Sequence, residues 1–163
     1  MPDVDIRRAR NVDIEPALAV WRAAGTARRG SIPVSVEREA QVRRALQEPS
    51  AFLLVADDAG EVVAMGLAMQ TRSDDGAGLP VPGDCFISLI YVAPERWGHG
   101  IGKKVVDAVL AEARAQGYGR VQLWTQADNV RAQRLYESRD FRRSGREAID
   151  PHAVVIVQYA RPL

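Results

Sequence analysis

Between Cys85 and Val106 the chain reads CFISLIYVAPERWGHGIGKKVV. An apolar run stops at Pro94, three glycines follow at alternate positions (Gly98, Gly100 and Gly102), and Lys103 and Lys104 open an amphipathic segment. The pattern predicts a buried strand, a loop of bare backbone and the first turn of a helix. Glycines so spaced let consecutive N–H groups close on an anion, and the helix adds its positive end. Another strand pattern, RVQLWT over 120–125, follows the helical stretch. A strand, helix and strand in that order call for a parallel pair, so the chain needs a sheet with helices packed on it.

The rest of the chain supplies that sheet. Val4 to Arg10 reads as a strand, and Asp13 as the N-cap of a helix that runs to about Ala24 and ends at Gly25. TARRGSIPVS is a loop, and Ser35 caps a second helix that ends before Pro49. AFLLVADDAGEVVAMGLAMQ holds two apolar runs around Asp57 to Gly60, the pattern of a β-hairpin. The tract from Ser73 to Asp84, SDDGAGLPVPGD, reads as a long loop that continues neither strand, of the kind that is mobile or functional. The central strand covers Cys85 to Val92. The next helix, Gly100 to Gln116, sets Ile101, Val105, Ala108 and Val109 on one face and is capped by Gly117. Asp128 or Asn129 caps a last helix to about Arg139; Phe141 opens a strand and Ala153 to Tyr159 forms the closing one. The order predicts one domain over residues 1–163, a mixed sheet flanked by helices in an α/β or α+β architecture.

Composition narrows the function classes. The 163 residues carry 22 basic and 21 acidic side chains, net charge +1, so the domain as a whole offers no nucleic-acid surface. The N-terminal stretch has no uninterrupted apolar run, which argues against a signal peptide, a membrane span or a membrane partner. A single cysteine, Cys85, excludes an internal disulfide and fits a reducing cytoplasm. The two histidines, His99 and His152, stand apart with no cysteine cluster, so no metal is expected.

Spacing sorts the ligands that the loop could take. A mononucleotide P-loop needs G-x-x-x-x-G-K followed by Ser or Thr, but Trp97 stands five before Gly102 and Lys104 follows Lys103. A dinucleotide G-x-G-x-x-G counted from Gly98 ends on Lys103 instead of glycine. The loop resembles the acetyl-CoA loop of the GNAT N-acetyltransferase superfamily, Gln or Arg, two residues, Gly, any residue, then Gly or Ala. Trp97 here takes the place of the Gln or Arg. A second segment supports the resemblance: Asn129 to Tyr136 followed by Phe141 is similar to the family's N-x-x-A-x-x-x-Y helix, with Asp140 where glycine is usual. Asn129, Ala132 and Tyr136 share one helix face.

The resemblance implies a mainly antiparallel sheet of about seven strands with about four helices, splayed at its central parallel pair. It implies that Ile90, Tyr91 and Val92 offer main-chain groups to the pantetheine arm of acetyl-CoA, with the Val92 N–H polarising the thioester carbonyl. Trp97, Gly98, His99, Gly100, Ile101, Gly102 and Lys103 would hold the pyrophosphate, and Asn129 would join the cofactor site. Tyr136 would act as general acid toward the CoA thiolate, or else only pack its ring under the sheet. With a thiol near about 8.5 and a phenol near about 10, full proton transfer is uphill by about 2 kcal/mol.

The acceptor would be a primary amine of a small molecule; a peptide N-terminus or a non-catalytic acyl-CoA-binding role are the alternatives. Such an amine, with a pKa of about 10.4, is neutral in roughly one molecule in 2,500 at pH 7, a deficit of about 4.6 kcal/mol. Asp84 is the candidate base, and Asp74 and Asp75 would join it in drawing a cation to the cleft. Cys85, opening an apolar strand, reads as a small buried hydrophobe rather than a nucleophile. Arg28 and Arg29 read as solvated. A monomer and a homodimer both remain open.

Overall fold

A computed structural model describes all residues except 1, 2 and 31, the last of which lies within the loop expected at TARRGSIPVS. The strands are β1 (Asp5–Arg8), β2 (Phe52–Asp58), β3 (Glu61–Arg72), β4 (Pro80–Val92), β5 (Arg120–Gln126), β6 (Arg142–Ile149) and β7 (Val155–Pro162). The helices are α1 (Ile14–Arg28), α2 (Val36–Leu46), α3 (Ile101–Ala115) and α4 (Val130–Glu137). Hydrogen bonding orders one seven-stranded sheet as β1-β2-β3-β4-β5-β7-β6. Only β4 and β5, the pair linked through α3, run parallel among the registered pairs; the others are antiparallel. This is the mixed sheet that the element order predicts, mainly antiparallel as the resemblance implies.

The chain divides into two compact units. The first comprises residues up to Met69 together with Leu89–Val109. In it β2 and β3 form the expected hairpin, turned at Ala59 and Gly60, where the Gly60 N–H donates to Asp57 Oδ1 at 2.7 Å. Ser35 caps α2 as expected, its hydroxyl accepting from the Arg38 N–H at 3.1 Å. Helix α3 packs unusually close to β3 at Gly66, where an added Cβ would stand 2.9 Å from Val105 and 3.1 Å from Val109. Only a residue without a side chain permits that approach.

Two expectations fail here. Helix α1 does not stop at Gly25 but continues through it to Arg28. Gly25 lies on the buried face with Leu18, Trp21 and Ala24, and burial of that stripe outweighs the roughly 1 kcal/mol that a mid-helix glycine costs. Asp13 precedes α1 but makes no side-chain cap to it. Its carboxylate instead accepts from the Arg10 N–H at 2.7 Å and from the Arg7 guanidinium at 2.7 and 3.2 Å. Arg7 also reaches Asp57 Oδ2 at 2.9 Å, tying β1 to β2 and to the start of α1.

The Arg7 hydrogen bonds, followed by the Arg10 N–H, hold the Asp13 carboxyl well below the usual carboxylate range. Arg7 and then the Gly60 N–H lower Asp57 as well. Carboxyls depressed in the folded state contribute stability that is complete above the unfolded value, about pH 4, and lost as pH falls below it. The melting temperature is therefore expected to decline steeply on acidification below about pH 4. Asp13→Asn should lower it at neutral pH and flatten that decline. An acid limb as steep in the variant as in the parent would relieve Asp13 of this role.

The second unit comprises Gln70–Ser88 and Leu110–Leu163. The tract expected to be a long loop is shorter than that: β3 runs to Arg72, a 3-10 turn follows at Asp74–Gly76, and β4 already starts at Pro80, so the last five residues of the tract are strand. Pro80 and Pro82 are accommodated because this part of β4 precedes its pairing with β5, which begins at Asp84; a proline is tolerated in a strand where its missing N–H has no ladder partner. The β4–β5 register runs from Asp84 opposite Arg120 to Ile87 opposite Leu123. Both strands run on past it. The end of α3 is closed as expected around Gly117, with its N–H donating to Arg114 O and the Tyr118 N–H to Ala113 O, both at 3.0 Å. Strand β7 outlasts its expected end by three residues, and β6 is an exposed edge strand.

Candidate active site

The first unit carries the strand end and the glycine loop. The Ala93 N–H donates to Val63 O on β3 at 2.9 Å. The carbonyl of the same peptide, that of Val92, points the opposite way, because N–H and C=O lie trans across a peptide plane. Main-chain groups of successive strand residues alternate in direction, so Val92 and Ile90 present theirs on the edge of β4 away from β3, whereas Tyr91 turns its own toward β3. By that alternation Ile90 and Val92 share one edge of the strand and Tyr91 the other.

After β4 a 3-10 turn, Pro94–Arg96, leads into the loop. Three side chains hold it. Arg96 Nη2 pairs with Asp58 Oδ2 on β2 at 2.6 Å, the Trp97 indole N–H donates to Val92 O at 2.8 Å, and His99 Nδ1, carrying its proton, donates to Arg96 O at 3.1 Å. Gly98 and Gly100 have φ of +84° and +76°, and a Cβ built on either would meet nothing within 4 Å. The backbone there is left-handed and faces open space. A side chain would strain the first and fill the second.

Helix α3 then starts at Ile101, with Gly102 and the exposed Lys103 and Lys104 in its first turn and no acidic residue to offset the dipole. The Lys104 N–H reaches back to Gly100 O, leaving the amides of Ile101, Gly102 and Lys103 as the orphan donors of the helix start. Lysines at a helix N-terminus are unfavourable unless an anion neutralises them. Donors, positive charge and bare glycines fit the pyrophosphate of a coenzyme A. The buried Ile101 side chain anchors the turn, so its contribution to such a ligand is backbone.

The second unit carries the two side chains expected to do proton chemistry. Asp84 is 8% exposed. Its Oδ1 accepts from Thr71 Oγ1 at 2.9 Å and from Gln122 Nε2 at 3.1 Å, and its Oδ2 pairs with Arg120 Nη1 at 2.7 Å. Gln122 continues the row: its Oε1 accepts from Gln158 Nε2 at 2.5 Å, and Gln158 Oε1 from Ser144 Oγ at 2.6 Å. A polar seam thus links β3, β4, β5, β7 and β6. Asp84 is accordingly a strand residue with both oxygens engaged by three donors.

Tyr136, on α4, is 7% exposed. Its ring meets Phe141 edge-on at 5.7 Å and Tyr159 at 6.4 Å. The Tyr159 hydroxyl donates to Glu137 Oε1 at 2.7 Å, and burial pushes its pKa up. Asn129 caps α4, its Oδ1 accepting from the Ala132 N–H at 3.1 Å, and Gln133 binds the carbonyls of Gln126 and Ala127 at the end of β5. Asp140 adopts φ +64°, the left-handed conformation expected where the similar motif has glycine.

Other candidates separate. Asp75 pairs with Arg146 at 3.0 Å, and Arg146 lies over the Trp124 ring at 5.3 Å, so Asp75 and Asp84 have different partners. Cys85 is fully buried, consistent with a small hydrophobe. His152 is exposed in the β6–β7 turn. Among the described residues no three of His, Cys, Asp and Glu gather to hold a metal, and no helix is long and apolar enough to cross a membrane. Sequence reasoning missed Thr71, Gln122, Arg120 and Gln158 around Asp84, and Arg96 as the loop's anchor. Nothing in the local pattern marks them, since each partner lies 13 or more positions away.

Known proteins bear on this arrangement. Over 96 residues the chain is 34% identical to the mycothiol acetyltransferase of Thermobispora bispora, a match covering 59% of this chain and 31% of that protein. It is 34% identical over 100 residues to an uncharacterized N-acetyltransferase of Mycobacterium tuberculosis, covering 61% of this chain and 58% of that one. The chain thus spans about a third of the length of the first of these relatives. The fold is shared with the ribosomal-protein-S18-alanine N-acetyltransferase of Escherichia coli, at TM-score 0.75 and 18% identity over 98% of this chain and 94% of that one. It is shared too with the paia N-acetyltransferase of Thermoplasma acidophilum in complex with coenzyme A, at TM-score 0.70 and 15% identity over 96% and 98%. The model of the acetyltransferase (GNAT) family matches residues 18–141, a span that holds both the glycine loop and the Asn129–Tyr136 segment. With a family match over most of its length and the loop and sheet that go with it, the chain belongs to the acetyltransferase (GNAT) family.

Proposed function

We propose that this protein is an acetyl-CoA-dependent N-acetyltransferase that acetylates a primary amine of a small molecule by direct attack in a ternary complex. The observation that carries the reading is the junction at the end of β4. Main-chain groups of Ile90 and Val92 face away from β3, and within ten residues of Val92 the chain supplies left-handed glycines and the open amides of a helix start. Acetyl-CoA, when bound, supplies an acyl thioester. The chain supplies the rest: loop and α3 amides with Lys103 for the phosphates, the Val92 N–H as donor to a carbonyl oxygen, and the Tyr136 hydroxyl as proton donor to the leaving sulfur. The single cysteine, buried at Cys85, leaves no exposed thiol to compete for acyl groups and suits a reducing cytoplasm.

A small acceptor is favoured by the relatives named mycothiol acetyltransferase. Fold relatives named for ribosomal-protein alanine favour a peptide N-terminus instead. A screen of small amines and of short peptides for CoA release, with acetyl-CoA present, separates the two. Release with neither class, alongside tight CoA binding, would turn the reading to a non-catalytic acyl-CoA-binding domain.

Asp84 remains the proposed proton acceptor. Asp84→Asn is expected to depress turnover most at low pH, where the free amine is scarcest and a proton acceptor matters most. It should also cost about 1–2 kcal/mol of stability, from the charge-assisted bonds lost to Thr71, Gln122 and Arg120. A loss of rate uniform across pH would assign Asp84 to the polar seam alone.

A further inference from the structure

We propose that Trp97 is a positioning residue that fills the last carbonyl of β4, so that Val92 meets the cofactor as a hydrogen-bond donor only. The inference rests on the acetyl-CoA reading of this site. The peptide between Val92 and Ala93 is clamped from both sides: its N–H donates to Val63 O at 2.9 Å, and its carbonyl oxygen accepts from the Trp97 indole at 2.8 Å. Pro94 follows at once and restricts Ala93 to its extended conformation, φ −52° and ψ 133°. The plane of that peptide has no freedom left.

The consequence falls on Val92. In an extended residue the N–H and the C=O point to the same edge, so an unfilled Val92 carbonyl would sit beside the N–H and present negative charge to whatever the N–H binds. It would also require its own donor, or water, when a ligand covers that edge. The indole supplies that donor in advance. A ligand carbonyl oxygen then finds a donor with no competing acceptor, and a ligand N–H finds no acceptor at Val92. Trp97 stands where similar loops carry Gln or Arg. Its half-exposed ring and its bond to Val92 give this position a task at the strand rather than at the phosphates.

The prediction separates the two ends of the cofactor. Trp97→Phe keeps a ring and removes the donor. By calorimetry it is expected to weaken CoA binding by about 5- to 20-fold, the worth of one hydrogen bond. Affinity for 3′-phosphoadenosine 5′-diphosphate, the fragment without the pantetheine arm, should stay within about twofold of the parent. Equal losses for both ligands would make Trp97 a loop-shaping residue, and unchanged CoA affinity would make its bond idle; either overturns the proposal. A second measurement needs no variant. In the NMR spectrum of the parent protein the Trp97 indole N–H should exchange slowly and remain so when CoA is added. Its release into fast exchange on CoA binding would mean that the cofactor takes the Val92 carbonyl, which also overturns it. A parent protein that binds neither CoA nor the fragment would instead remove the acetyl-CoA reading on which the inference rests.

Discussion

Gly100→Val is expected to weaken CoA binding by on the order of 100-fold, the equivalent of losing two charge-assisted hydrogen bonds. The position is left-handed, with φ +76°, a conformation that costs an ordinary residue roughly 1–2 kcal/mol and a β-branched one more. The new side chain has no protein neighbour within 4 Å of its Cβ, so it would not disturb the core; it would fill the open space proposed for the phosphates. Thermal stability should therefore fall by only the backbone strain while calorimetric affinity collapses. Gly100→Ala should show the same split at a smaller size, about tenfold. CoA affinity equal to the parent's in the valine variant would contradict the loop assignment.

Tyr136→Phe is expected to cut turnover by roughly 10- to 1,000-fold, the range of a general acid, with CoA affinity retained. The ring keeps its contacts with Phe141 and Tyr159 in this variant, so the fold should melt within a few degrees of the parent. Tyr136→Ala is the contrasting case: emptying a site that is 7% exposed should cost about 3–5 kcal/mol, as for other buried aromatic rings. Because proton transfer from an ordinary phenol to a thiolate is uphill, a hydrogen bond to the sulfur would be the larger share of the expected effect. Steady-state kinetics with saturating acetyl-CoA decide it. Unchanged turnover in the phenylalanine variant would leave Tyr136 as a core residue between Phe141 and Tyr159.

These two variants probe features that were legible along the chain. The glycine spacing before a lysine-led helix is a local signal, since left-handed backbone and open amides depend on neighbours a few residues away, and Gly98 and Gly100 adopt the positive φ that the pattern demands. Ser35 and Asn129 cap their helices for the same reason. Legibility ended where a local preference met a larger burial. Gly25 has the chemistry of a helix stop, yet α1 continues through it because the face that it shares with Leu18 and Trp21 is buried. The prolines at 80 and 82 have the chemistry of a loop, yet they lie in β4 ahead of its pairing with β5.

Asp84 shows the same boundary at the site. Its position beside the central strand is plain in the sequence, but its hydrogen bonds come from Thr71, Gln122 and Arg120, on β3 and β5. The amino-acid sequence by itself determined the order of the elements, the caps at Ser35 and Asn129, the hairpin turn and the bare loop, because each follows from torsional preference and hydrogen bonding over a few residues. Only the tertiary structure decided which edge of β4 presents Val92, that Trp97 fills its carbonyl, that Arg96 ties the loop to Asp58, and that both oxygens of Asp84 are engaged. Strand pairing sets the direction of every peptide group, and packing brings distant side chains within reach; both are properties of the assembled sheet, to which no short stretch of sequence refers.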